Sequence, residues 1–350
     1  MTVFEVALSG DFRRADGSLA YPDFDLGPLE GDPRIRLRWV QPVENAMPAA
    51  GLEDVDALIL LGARFVPSSV PASRRLAVVA RFGVGYDSVD VPACTAADIA
   101  LVTTPDGVRR PVAVAILTFV LALAGKLFTK DALVRRGPDG WAERSQHMGT
   151  GLVGRTLGQL GIGNIGAEVF RMAAPFDMRF IAHDPFADPA LASRLGVELV
   201  DLETLFRDSD FLSVSCPLSE ATRHIVDAER LALMKPTAYL VNTSRGPVVD
   251  QQALYQVLRD RRIAGAGLDV FEQEPTPPGE PITTLDNVML APHALCWTDQ
   301  CFAGIGAADV AAVLEVMEGR VPRGIVNREV VEALGWKAKL RTYGDRFGSA

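Results

Sequence analysis

The sequence predicts an α/β protein made of two parallel-sheet units. Three observations carry that expectation: a length of 350 residues, two successive series of strand-length apolar runs alternating with helix-like segments, and a glycine cluster where one such run meets a helical one. A chain of this length exceeds the usual single-domain size and has material for two cores.

The first series fills the opening hundred residues. FEVALSG, VDALILLG, LAVVARFG and IALVTT are apolar runs of strand length, several of them stopping at Gly or Pro, and they predict a small α/β unit with a parallel sheet. PVAVAILTFVLALAG, Pro111 to Gly125, follows without a single charge. It falls short of the roughly 18–20 residues a membrane-spanning helix needs, so it reads as a helix buried in a core or at a subunit interface, and no membrane partner is expected. After a polar linker around VRRGPDGWAERSQHMGTG, the second series runs over residues 150–295: TLGQLGI, RFIAHD, DFLSVSC, TAYLVNT, GAGLDVF and NVMLAPH. Six strands with short connections fit a doubly wound sheet. Asp299 to Gly319 reads as one long helix, and the polar tail from about Lys337 as partly disordered.

A formal charge of -9 without a long basic block excludes a non-specific polyanion binder, so no nucleic-acid partner is expected; a small anionic substrate needs only a local positive site. The four cysteines, Cys94, Cys216, Cys296 and Cys301, lack paired CxxC spacing, and MTVFEVALSG enters a strand-like alternation without a signal-peptide pattern. A cytoplasmic location is the default. His293, Cys296 and Cys301 lie close in sequence, but a fourth ligand is missing and no metal is expected.

The glycine cluster is GQLGIGNIGAEVF, with Gly161, Gly163 and Gly166 in GxGxxG spacing. In a dinucleotide-binding turn the first glycine permits the tight bend, the second lets backbone approach pyrophosphate, and the third lets helix pack on strand; N–H groups around Asn164 and Ile165 then face phosphate. Taken alone, the motif fits a ligand-free glycine-rich turn equally well. Asp184 ends the next strand-like run eighteen residues beyond Gly166, close to where the fingerprint places an acid on the ribose hydroxyls. A carboxylate there repels a 2'-phosphate and favours NAD over NADP, although Asp184-Pro185 also suits a turn.

Three later runs each end on a residue suited to chemistry: Arg245 in LVNTSRGPVVD, Glu274 in LDVFEQEP and His293 in VMLAPHALCW. The ligand crevice of an open α/β sheet lies outside the carboxyl ends of its strands, where these side chains can converge. Hydride transfer at a carbon-oxygen centre needs a matching proton transfer, for which an imidazole backed by a carboxylate is suited, and a guanidinium fork holds a carboxylate or carbonyl oxygen. Each residue alone also suits an ordinary surface or turn role.

With these motifs in one order, the chain resembles the D-isomer-specific 2-hydroxyacid dehydrogenase family over roughly residues 50–330, through RFGVGYDSVDVPA, GLVGRTLGQLGIGNIG, HDP, CPLSEATRHIV, MKPTAYLVNTSRGPVVD, GAGLDVFEQEP and APH. The resemblance implies an active-site Arg245, Glu274 and His293, with the Val84 and Gly85 N–H groups holding the substrate carboxylate. It implies NAD contacts at Asn164, Ile165, Asp184, Cys216, Thr243, Ser244, Asp269 and His293 besides the three glycines. The fold it implies is discontinuous: residues 1–106 and 299–350 form a smaller flavodoxin-like substrate domain, into which a Rossmann-type NAD domain of residues 107–298 is inserted, with the cleft at the junction. The helix at 111–125 matches a dimerising element, which implies a homodimer.

The implied activity is NAD-dependent interconversion of a D-2-hydroxy acid and its 2-keto acid. Glu274 separates the chain from formate dehydrogenases, which lack that partner, and the length leaves no room for the regulatory domains often appended to phosphoglycerate dehydrogenases. Glyoxylate or hydroxypyruvate reduction is therefore the expected subclass. The alternative is an NAD-sensing binding protein of the C-terminal-binding-protein corepressor type, whose loop after the histidine resembles WTDQ here. Departures from the family pattern bear on pocket and substrate: Val114 stands where many members carry Glu, Ser215 where a His is common, and ALCWTDQC replaces a small-residue pattern after His293. Cys296 or Trp297 lines the pocket or packs in a core.

Overall fold

The computed structural model describes residues 3–348 and divides into two compact units, Met1–Val108 with Trp297–Ala350, and Arg109–Cys296. Both are α/β, as the alternation of runs predicts.

In the first unit, β1 (Phe4–Ser9), β2 (Ile35–Val40), β3 (Ala57–Leu60), β4 (Val78–Arg81) and β5 (Ala100–Val102) form one parallel sheet in the order β2-β1-β3-β4-β5. That is the flavodoxin-like strand order. Parallel strands covered on both faces read as continuous apolar runs, and β1 and β3 are buried at every position. The sequence reading missed β2. Its IRLRWV alternates arginine with apolar residues, because it is an edge strand that is buried only at Val40.

The C-terminal tail corrects another expectation. Leu334–Phe347 is a helix whose Trp336, Leu340, Tyr343 and Phe347 are buried. Trp336 Nε1 donates to Ala77 O at 3.0 Å, Tyr343 Oη to Asp56 Oδ1 at 2.8 Å, and Lys339 Nζ to the carbonyls of Leu76, Ala97 and Asp98. Four residues at helical spacing inside a polar segment were enough to order it.

In the second unit, β6 (Thr156–Leu160), β7 (Arg179–His183), β8 (Val197–Leu199), β9 (Phe211–Val214), β10 (Tyr239–Asn242), β11 (Gly265–Leu268) and β12 (Val288–Leu290) are parallel in the order β12-β11-β10-β9-β6-β7-β8. This is the Rossmann-type order with its reversal beside β6. The six expected strands are joined by β8, an edge strand whose Glu198 and Leu199 are exposed, so that no apolar run marks it. Successive residues of one strand serve opposite faces: Leu240 lies in one core, and its neighbours Tyr239 and Val241 in the other. At about 1.5–3 kcal/mol for each fully buried large side chain, these two cores hold the sheet from both faces.

The uncharged segment belongs to a longer helix than expected, Pro105–Gly125, of 21 residues. That length satisfies a spanning helix, but Ala113, Ile116, Phe119, Val120 and Leu123 are packed in the second unit's core. Gly267 on β11 makes room for it; a Cβ there would stand 2.6 Å from the Phe119 ring. The linker beyond is partly helical, over Leu127–Arg135 and Pro138–Glu143. Asp299–Met317 forms the expected long helix, ending two residues before the left-handed Gly319.

Candidate active site

Gly161 follows β6 with φ +98°, a conformation that favours glycine. A Cβ on Gly166 would stand 2.4 Å from Gly161 O, so helix Asn164–Ala173 rides close against the turn, while a Cβ on Gly163 would meet nothing within 4 Å. Gly163 thus leaves room at the start of the helix, whose first N–H groups lie ahead of the intrahelical bonds. These features fit the pyrophosphate of a dinucleotide.

Asp184, just past β7, accepts from Ile162 N–H at 3.0 Å and Phe186 N–H at 2.8 Å, which fixes its carboxylate against the glycine turn. Cys216 is half-buried, and a Cβ on Gly161 would come within 3.0 Å of its amide nitrogen. Burial pushes its thiol up to about 11, which makes it an inert wall rather than a nucleophile. Ser215 turns inward and donates to Gln159 Oε1 at 2.9 Å.

The chemistry-bearing residues gather at the carboxyl ends of β10, β11 and β12. Asn242, at the end of β10, accepts from Ser244 N–H and Oγ, both at 3.0 Å, and donates to Arg245 O at 3.0 Å; this buried amide shapes the Thr243–Arg245 turn. Gly246 then lets that turn lie on the next one, because a Cβ there would fall 1.9 Å from the Phe271 carbonyl. Neither residue was singled out from sequence; an Asn closing a strand and a Gly after the Arg were the available signals.

Asp269 follows β11 and is 3% exposed. Its carboxylate accepts from Ala294 N–H at 2.9 Å and Leu295 N–H at 3.1 Å, and its carbonyl from His293 N–H at 2.7 Å. Burial raises its carboxyl above the usual range, against the lowering effect of those N–H groups. Its visible task is to bind the turn that carries His293, a residue at φ +54°.

Glu274 completes the arrangement. Its Oε1 accepts from Phe271 N–H at 2.9 Å and its Oε2 lies 2.7 Å from His293 Nδ1. Burial by itself raises this carboxyl, but the His293 and Phe271 bonds, with the charges of His293 and Arg245, outweigh it and hold Glu274 below its usual value. Arg245 thus acts electrostatically on Glu274 as well as donating from Nη1 to Ser244 O at 2.7 Å. The contact at Nδ1 fixes the half-exposed imidazole against Glu274.

In the first unit, Gly83 follows β4 at φ +123°, its N–H donating to Thr104 Oγ1 at 3.1 Å. Val84 and Gly85 are half-buried, and among the described residues none accepts from their N–H groups.

The D-isomer specific 2-hydroxyacid dehydrogenase NAD binding domain matches residues 117–294. The glyoxylate reductase of Korarchaeum cryptofilum is 41% identical over 80% of this chain and 85% of that protein. The chain belongs to the D-isomer-specific 2-hydroxyacid dehydrogenase family. The D-3-phosphoglycerate dehydrogenase of Methanocaldococcus jannaschii is 36% identical over 83% of this dehydrogenase and 55% of that protein. A glyoxylate reductase structure from Paecilomyes thermophila superposes with a TM-score of 0.79 at 27% identity, covering 94% of this dehydrogenase and 100% of that chain. The matched domain lies within the second unit and contains the glycine turn. The dehydrogenase is an NAD(P)-dependent oxidoreductase of 2-hydroxy and 2-oxo acids, and the relatives do not favour the corepressor-like alternative.

Proposed function

We propose that Arg245, Glu274 and His293 are the catalytic set of an NAD-dependent reductase that converts a 2-oxo acid to its D-2-hydroxy acid. The observation that carries this reading is the 2.7 Å contact of His293 Nδ1 with Glu274 Oε2, on turns tied together by Asp269 and Gly246. When bound, the nicotinamide supplies the hydride to the 2-oxo carbon. His293 gives a proton from Nε2 to the carbonyl oxygen, and Glu274 holds the ring in place through Nδ1. Arg245 orients the substrate through its guanidinium fork, and the Val84 and Gly85 N–H groups take the carboxylate. Oxidation uses the same groups in reverse.

Gly161, Gly163, Asn164, Ile165 and Gly166 hold the pyrophosphate in this reading, with Cys216, Thr243, Ser244, Asp269 and His293 along the nicotinamide half. Asp184 takes the ribose hydroxyls and sets NAD over NADP. The protein works as a cytoplasmic homodimer through the helix at 111–125; no disulfide joins its cysteines among the described residues, which suits a reducing compartment.

The test is His293→Ala, followed by nicotinamide absorbance and NADH fluorescence. Turnover is expected to fall at least about 100-fold, with NADH affinity held within a few-fold. Equal loss of both overturns the assignment.

A further inference from the structure

The loop after β1 and the start of the helix Asp299–Met317 bring six aromatic rings together inside the first unit. Phe12, Phe24 and Phe82 form a buried base: Phe12 and Phe82 meet edge-on at 5.0 Å, and Phe24 lies 4.9 Å from Phe82. Tyr21 stacks on Phe302 at 4.1 Å, and both rings are half-buried. Trp297 stands edge-on to each of them at 5.5 Å and remains 50% exposed. The rings grade from the core outward to a tryptophan with surface to spare.

Local structure holds this array rigidly. Thr298 caps the helix by accepting from Cys301 N–H at 3.1 Å, which fixes Trp297 just before the helix and Phe302 in its first turn. Ala20 N–H donates to Phe12 O at 2.7 Å and closes the loop that presents Tyr21. Phe12 follows β1 and Phe82 follows β4, so the array sits at the carboxyl ends of the strands, where open α/β sheets bind ligands. Phe82 is also two residues before Val84, the start of the N–H pair assigned to the substrate carboxylate.

Trp297 thus offers half of a large apolar ring, backed by two further aromatic rings, beside the strand ends where ligands bind. We propose that Tyr21, Trp297 and Phe302 receive the side chain of the 2-oxo acid and select acids with an aromatic or large branched apolar side chain over glyoxylate. The inference rests on the proposed 2-oxo acid reductase reading and adds the substrate class. Glyoxylate, with hydrogen in place of a side chain, has nothing to offer these rings, whereas a pocket distinguishes even one methylene by roughly 10–200-fold.

The test measures kcat/KM with NADH for glyoxylate, 4-methyl-2-oxopentanoate and phenylpyruvate in the full-length protein, its Trp297→Ala and Phe302→Ala variants, and Trp297→Phe. The unmodified protein is expected to prefer phenylpyruvate or 4-methyl-2-oxopentanoate to glyoxylate by at least tenfold. Trp297→Ala should cut the ratio of phenylpyruvate to glyoxylate at least tenfold, with Phe302→Ala acting in the same direction and Trp297→Phe restoring most of it. Trp297 is half exposed, so its variants are expected to fold, which thermal unfolding checks. Turnover confined to glyoxylate and hydroxypyruvate, or equal losses on all three acids, overturns this inference and leaves the reductase reading standing. No turnover with any 2-oxo acid, in protein that binds NADH, overturns both.

Discussion

Glu274 is lowered by the groups it serves, and that gives its titration a definite sign. A carboxyl held below its unfolded-state value adds stability that is complete above that value and is lost as pH falls through the folded-state one. Because the pair is partly exposed, its weight in stability is small, and its weight in catalysis is the one to measure. An amide in place of the carboxylate removes the charged acceptor at His293 Nδ1 while preserving the shape. Glu274→Gln is therefore expected to lower kcat for 2-oxo acid reduction about 10- to 100-fold, part of the roughly 10²–10⁴ available to general acid catalysis. Steady-state kcat with NADH checks this, and a value equal to the parent's counts against the pair. The three polar residues were legible in the sequence because each follows an apolar run. Asn242 and Gly246 were not, since their work is done through backbone contacts with turns that are distant along the chain.

At the level of elements, Gly246 decides whether two turns can touch. A methyl at that position must displace the Phe271 carbonyl, and overpacking of this kind costs about 1–3 kcal/mol or more. Gly246→Ala is expected to lower Tm and to reduce kcat/KM through the displaced Arg245, read by thermal unfolding beside steady-state kinetics; an unchanged kcat/KM would mean that the turns' approach is irrelevant to the site. The C-terminal helix makes the opposite point about legibility. Its polar composition suggested a loose tail, yet Trp336 is fully buried and hydrogen-bonded to β4's neighbour Ala77. Trp336→Ala should cost about 3–5 kcal/mol in urea or thermal unfolding. A near-zero effect would restore the tail reading. Both missed edge strands, β2 and β8, share one cause: polar or exposed positions interrupt the strand and leave no continuous apolar run to read.

On the scale of the whole molecule, the second unit carries more apolar surface than one chain covers. Leu121 and Val114 on the helix Pro105–Gly125 are 42% and 44% exposed, and Phe128, Val134 and Trp141 on the two helices that follow are more exposed still. The opposite face of the first helix is in the core, so folding has already used its buried side and leaves these side chains exposed. In the proposed homodimer a second copy of the same chain would cover them with one self-complementary patch, which is how two-fold dimers are built. Light scattering coupled to size exclusion is therefore expected to give twice the 37.6 kDa chain mass. The double variant Leu121→Glu, Phe128→Glu, which places charge in the centre of the patch, should shift the species to monomer without unfolding it, since both positions lie outside the core. A parent protein that is monomeric at micromolar concentration, or a double variant that stays dimeric, would assign this surface to something other than self-association.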